Sequence, residues 1–200
     1  MRCHQHADKA LLLSLRINMR LNVVARSAAG GSGGTPDNLQ VTLALLKPTV
    51  TSYAPDVSQV LKTIKRSPLQ IVRTRRLFWK VDDEAKHFYA EHEGRFFHQR
   101  LLLMASSGPC MALALSGPDA IKEWRRMIGP THVYKSKWDD ASMHSLRSRF
   151  GLGDTRNGFH GSDSPESAAR ELAMVFDGWD VNWWLDQERR RQIEQATALQ

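Results

Sequence analysis

Cysteine is scarce: Cys3 and Cys110 are the only two in 200 residues. Two thiols so far apart form no disulfide framework and lack the paired spacing of a structural zinc site, which points to a reducing compartment. Cys110 opens the apolar run CMALAL and reads as a buried thiol. Long apolar runs are missing too. No stretch reaches about 18 apolar residues, so no transmembrane helix is expected. There is no internal repeat. Acids are nearly absent from residues 1–36, where Arg2, Lys9, Arg16, Arg20 and Arg26 face Asp8 alone.

That imbalance accounts for +4 of the formal net charge of +7. The remaining +3 is too mild to support nucleic-acid binding by charge alone. A modest surplus of arginines suits a phosphate ligand instead, because guanidinium matches phosphate oxygens in a planar fork. With 42% hydrophobic residues, the chain can bury the core of one compact domain.

Residues 1–38 differ from the rest. Leu11, Leu12, Leu13, Leu15, Ile17, Leu21, Val23 and Val24 alternate with arginines, the character of a mitochondrial transit peptide. AAGGSGGTPDN (28–38) reads as a flexible linker. A mitochondrial, matrix address is therefore expected. The plain alternative is an unstructured extension ahead of a second start at Met19, on a cytoplasmic protein.

The folded domain is expected over 39–178, with a C-terminal extension over 179–200. QVTLALLKP (40–48) reads as a central strand stopped by Pro48. Val57, Val60, Leu61 and Ile64 give a helix over 56–66. A second strand follows over 69–80, carrying Arg73, Arg75 and Arg76, which read as a solvated face. Helices are expected over 82–94 and 96–106, a buried strand over 109–117 and a helix over 117–128. Residues 129–150 read as a long loop. Ser164, Pro165 and Glu166 supply cap, first position and dipole partner for a helix over 164–176. Beyond it, Trp179, Val181, Trp183, Trp184 and Leu185 pack a short segment that then frays. This order gives helices on an antiparallel sheet.

Residues 156–164 read RNGFHGSDS. In an extended segment His160 and Ser162 share one side, and Gly158 and Gly161 leave room for a large partner to approach. Glu171 lies two turns inside the following helix. It can hydrogen-bond one imidazole nitrogen and leave the other free as a nucleophile. A lone histidine is more often structural than catalytic; the neighbours of His160 raise it above that.

NGFHGSDS resembles the N-x-x-H-G-S-D signature of the nucleoside diphosphate kinase family. LALLKP (43–48), FYAEHEGRFF (88–97), SGP (107–109), WRRMIGPT (124–131) and LRSRFG (146–151) resemble further family segments, in family order. The resemblance spans about residues 39–178 and is closest to the divergent group II branch. It implies a ferredoxin-like, four-stranded antiparallel sheet covered by helices. It implies a ping-pong reaction, in which His160 accepts the γ-phosphoryl group of a nucleoside triphosphate and returns it to a diphosphate. Glu171 would orient His160. Lys47, catalytic as well as nucleotide-binding, would sit with Tyr89 and Asn157 near the transferred group and the ribose. Arg125, Thr131 and Arg147 would hold the other phosphates, and Ser162 would join the nucleotide-binding set. Phe97 would stack on the base, leaving Phe96 to the core and Arg126 to solvent. Mg²⁺ would be held mainly by the nucleotide phosphates, with no protein-built metal site.

Three departures accompany the resemblance. Thr49 and Val50 replace a usual Asp-Gly. Asp154 stands where common members carry an apolar residue against the base, so a carboxylate there implies weaker packing and repulsion of phosphate. The segment 132–146 is longer than usual, which puts the family's hexamer in question. A homo-oligomer or a partner protein remains open, and the alternative function is a weakly active or partner-dependent nucleotide-binding module.

Overall fold

A computed structural model describes residues 38–198. The expected transit peptide and linker lie, except for Asn38, outside the described residues.

The run LQVTLALL forms β1 (Leu39–Leu46), and nearly every residue in it is buried. Such continuous burial marks a strand covered on both faces. Its partners are β2 (Gln70–Leu77), β3 (Cys110–Pro118) and β4 (Phe159–Gly161), in the order β2-β3-β1-β4, all antiparallel. This is the four-stranded antiparallel, ferredoxin-like sheet that the resemblance implies.

Alternation along the strands divides the core in two. Val41, Leu43 and Leu45 of β1 and Cys110, Ala112 and Ala114 of β3 face one side. They meet α2 (His98–Ala105) and α6 (Pro165–Val175) through Leu102, Leu172 and Val175. Ala44, Leu46, Leu113 and Leu115 face the other side. There they meet α1 (Ala54–Lys65) and α3 (Ala120–Ile128) through Val60, Ile64, Trp124 and Ile128. Burial pushes the Cys110 thiol up to about 12, so it stays protonated and inert.

The segment 129–150 is not a plain loop. It holds α4 (Val133–Lys137) and α5 (Leu146–Phe150), each too short to announce itself by periodicity. Ser145 caps α5 by accepting from the Ser148 N–H. The helix expected over 82–94 is broken into three pieces: a wide turn Val81–Ala85, then Lys86–Phe88 and Ala90–His92. Asp83 leaves helical geometry there, at φ −130° and ψ −105°.

The C-terminal segment does not fray as expected; it forms α7 (Val181–Ala198). Trp179, Val181, Trp184 and Leu185 pack onto the same core as α6. Arg73 lies 4.4 Å above the Trp179 ring, and Arg75 donates to the Val175 carbonyl and to Asp177, both at 2.7 Å. Arg73 and Arg76 lie on the solvated face expected of them, and from that face Arg73 and Arg75 reach the C-terminal segment.

β4 is a short edge strand, yet its three carbonyls all accept from side chains. Phe159 O accepts from Arg147, His160 O from Trp124 Nε1 at 2.9 Å, and Gly161 O from Arg125 at 3.4 Å. Trp124 comes so close that a Cβ at position 161 would lie 2.5 Å from its Cδ1. Gly161 thus makes room for a tryptophan behind the strand, not for an incoming partner. The Gly161→Ala variant is expected to lose about 1–3 kcal/mol by overpacking. Urea unfolding checks this through a lower midpoint at unchanged slope.

Candidate functional site

β4 places His160 opposite Leu45, at the end of the most buried strand in the sheet. The chain then enters α6. Ser164 caps that helix by accepting from the Ser167 N–H at 3.1 Å, and Pro165 takes a first-turn position, as the sequence indicates. Two turns in, Glu171 is buried, and its Oε2 accepts from His160 Nε2 at 2.9 Å. The carboxylate thereby fixes the tautomer with hydrogen on Nε2 and leaves the Nδ1 lone pair free. The Phe88 ring meets the imidazole edge-on, with centroids 4.9 Å apart, and supports its plane.

Ser162 is placed differently from the expectation. It is fully buried, and its hydroxyl donates to the same Glu171 oxygen at 2.8 Å while accepting from the Leu43 N–H at 3.1 Å. Ser162 therefore ties the orienting carboxylate to β1 and does not face a ligand. Its two-residue spacing from His160 in an extended segment is the signal that both side chains could reach one partner.

Lys47 ends β1, and its N–H donates to the Gly158 carbonyl at 2.9 Å. Gly158 sits at φ +81°, where a side chain would be strained. The ammonium donates to Asn157 Oδ1 at 3.2 Å and lies 5.8 Å from the Tyr89 ring centroid. Asn157 Nδ2 donates in turn to the Asp154 carbonyl at 3.0 Å. Lys47, Tyr89, Asn157 and Arg147 are all buried. Burial, reinforced by the nearby Arg147, pulls the Lys47 pKa down to about 7. Burial and Arg125 pull Arg147 down to about 10. Tyr89 is pushed upward, first by burial, so it remains an O–H donor. Two buried polar atoms here, Tyr89 Oη and Arg147 Nε, have no hydrogen-bond partner. Buried cations short of counter-charge beside orphaned donors describe a site made for an anion.

Arg125, Thr131 and Arg147 line one cleft of about 880 Å³, whose walls do not include His160, Lys47, Tyr89 or Asn157. Arg147 also donates to the Gly129 carbonyl at 2.6 Å, so it braces the frame of the site as well as charging it. Arg126 is paired with Glu123 through two hydrogen bonds of 2.9 and 2.7 Å, the solvated pair expected of it.

The two neighbouring phenylalanines are buried in the opposite sense from that expected. Phe97 is half-buried and packs against the core, with its ring 5.6 Å from that of His92. Phe96 is 84% exposed. The ring able to receive a planar ligand is therefore Phe96; the missing signal was which of two adjacent rings faces inward. Asp154 also differs from the expectation. Its carboxylate accepts from the Val133 N–H at 3.0 Å and bonds His132 Nδ1 at 2.9 Å, so it ties the start of α4 to the 152–156 turn while staying exposed on its other side. Among the described residues, no group of three His, Cys, Asp or Glu side chains could hold a metal ion. No described helix is long and apolar enough to cross a membrane.

The depressed Lys47 pKa has a consequence for stability. A lysine with a folded pKa near 7 and an ordinary value of 10.5 binds fewer protons folded than unfolded between those values. Its contribution to stability therefore rises with pH across that window, by up to about 1.4 kcal/mol per pH unit. The Lys47→Met variant is expected to flatten that rise. Urea midpoints of both proteins at pH 7 and pH 9 check it.

Comparison with known proteins agrees with this fold. The family model described as nucleoside diphosphate kinase matches residues 40–181. The chain is 44% identical over 154 residues to nucleoside diphosphate kinase 6 of Mus musculus, covering 77% of this chain and 80% of that one. It is 43% identical to nucleoside diphosphate kinase 6 of Homo sapiens, covering 77% and 81%. The crystal structure of the Aquifex aeolicus nucleoside diphosphate kinase superposes with a TM-score of 0.65 at 33% identity, covering 72% of this chain and 99% of that one. With the matching sheet and the histidine set on its edge strand, the chain belongs to the nucleoside diphosphate kinase family and is similar to its member 6.

Proposed function

We propose that this protein is an active nucleoside diphosphate kinase that relays phosphate through His160. The observation that carries this reading is the hydrogen bond from His160 Nε2 to the buried, Ser162-tethered Glu171, which leaves Nδ1 free. In the first half-reaction the Nδ1 lone pair attacks the γ-phosphorus of ATP. The bond from that phosphorus to the β,γ-bridging oxygen breaks, and ADP departs with the electron pair. The imidazole gains positive charge as the new N–P bond forms, and Glu171 offsets it across the Nε2–H. In the second half-reaction a terminal oxygen of another nucleoside diphosphate attacks the phosphohistidine, and Nδ1 recovers its lone pair.

Phosphoryl transfer asks a protein mainly for positioning and charge neutralisation. Lys47, Arg125 and Arg147 supply the cations, and Tyr89 Oη is a buried donor in need of an acceptor. Glu171 is already bonded to His160, so Mg²⁺ fits this site as a companion of the nucleotide phosphates rather than as a protein-held ion. There it supplies charge neutralisation. Stacking on Phe96 is tolerant of base identity, since every base has a π-face. The arginine-rich, acid-poor residues 1–38 support a mitochondrial address for this activity.

A second reading rests on Tyr134, Trp138 and Leu152, large side chains left exposed around the long loop. They favour a site completed by another protein or by a second copy of the chain.

The first test is labelling. Incubation with γ-labelled ATP and Mg²⁺ is expected to give an acid-labile, base-stable label that an added diphosphate removes. An unlabelled wild type, or equal label on His160→Ala, sinks the relay. Label that persists after the diphosphate is added favours the second reading. Glu171→Gln keeps the shape but loses the charge, and is expected to slow labelling about 10- to 100-fold, the worth of a hydrogen bond to a charged group. The two phenylalanines separate by readout. Phe96→Ala is expected to raise KM for ADP about 5- to 100-fold through lost stacking. Phe97→Ala is expected mainly to lower the thermal midpoint, and steady-state kinetics with a melting curve on each variant distinguishes the two.

A further inference from the structure

Asp154 sits at the apex of a tight turn closed by the Leu152 N–H, which donates to the Arg156 carbonyl at 2.9 Å. It bonds in two directions. Its carboxylate holds the start of α4, through the Val133 N–H and the His132 ring. Its backbone carbonyl holds Asn157 Nδ2, and Asn157 Oδ1 holds the Lys47 ammonium. A run of hydrogen bonds through Asp154 and Asn157 thus leads from the residues just after Thr131 to the buried Lys47. A second tie runs alongside, from Tyr134 Oη to the Leu152 carbonyl at 3.2 Å. Thr131 itself makes no hydrogen bond to this turn; the bonds at His132 and Val133 set where it stands.

We propose that Asp154 is a positioning residue, which latches the long 132–146 segment to the turn carrying Asn157 and so sets Thr131 at the phosphate end of the nucleotide site. This rests on the reading of that site as nucleotide-binding. The latch answers a physical need. A longer loop has more conformations to lose on closing over a ligand, and a preformed contact removes part of that loss before binding. An apolar side chain at position 154 could make neither carboxylate bond. The His132 pair is exposed and competes with water, so the weight of the latch falls on the part-buried bond from the Val133 N–H.

The backbone carbonyl of residue 154 survives any substitution, which separates the latch from the Asn157–Lys47 contact. Asp154→Ala removes both carboxylate bonds. Asp154→Asn keeps an oxygen for the Val133 N–H. Three quantities are read on the full chain: the dissociation constant of fluorescently tagged ADP, hydrogen exchange at the Val133 amide, and the rate of His160 labelling at saturating ATP. Asp154→Ala is expected to weaken ADP binding about tenfold and to speed Val133 exchange, with the saturated rate unchanged. Asp154→Asn is expected to recover most of both losses. Faster exchange with unaltered affinity would make the contact structural only and overturn the proposal. Tighter ADP binding by Asp154→Ala would overturn it too, by showing the carboxylate as a repulsive group. Weaker binding without any change in exchange would place the effect elsewhere. A wild type that binds ADP but takes no label defeats the relay and leaves affinity and exchange to judge the latch. A wild type that binds no ADP defeats both.

Discussion

One carboxylate oxygen, Glu171 Oε2, holds the site together. It receives both the His160 ring and the Ser162 hydroxyl, and it is buried under α6. A buried charge of this kind persists only where hydrogen bonds satisfy it, and these two donors do so. Everything else around the histidine follows from giving that oxygen a fixed place. The Ser164 cap and Pro165 set the start of α6, so Glu171 arrives two turns later facing the sheet. The Leu43 N–H fixes Ser162 from the strand side. The imidazole is therefore held by the helix and by the strand at once.

The opposite side of the site is governed by unbalanced charge. Lys47 and Arg147 are buried near one another, and burial depresses both. Neither donates to a carboxylate: Lys47 bonds an amide oxygen, and Arg147 bonds two backbone carbonyls. Such cations raise the free energy of the empty protein and lower it again when an anion arrives. That cost is local to Lys47 and Arg147, since the two core clusters on either face of the sheet are built from apolar side chains.

Much of this was legible in the chain itself, for physical reasons that differ from residue to residue. β1 is visible because a strand covered on both faces must be apolar throughout. α6 is visible because its cap, proline and acid sit in consecutive positions. His160 and Glu171 follow from the order of one signature. What stayed hidden depends on orientation. Nothing local decides which of Phe96 and Phe97 turns inward, or that Ser162 points at a carboxylate and not at a ligand. Gly161 announces close approach without naming Trp124 as the group that approaches. α7 was missed because its apolar residues cluster at its start and its later part is polar all round, with little left to bury. Asp154 looked like an intrusion because its partners, His132 and Val133, are some twenty positions away across a loop.

The placement of β1 also sets an order of events. Among the described strands it is the first to leave the ribosome, yet it lies between β3 and β4 and needs both. Leu43 and Leu45 cannot be fully enclosed until residues 159–175 have been made, because β4 and α6 close over them. Pairings of such long sequence separation form late, and the open flank of β1 stays sticky in the meantime. His160 is therefore among the last parts installed. A chain stopped short of α6 would hold its cations, its clefts and most of its sheet, and would still lack the Glu171 that orients the imidazole: competence at this site doubles as a certificate that synthesis has run past residue 171.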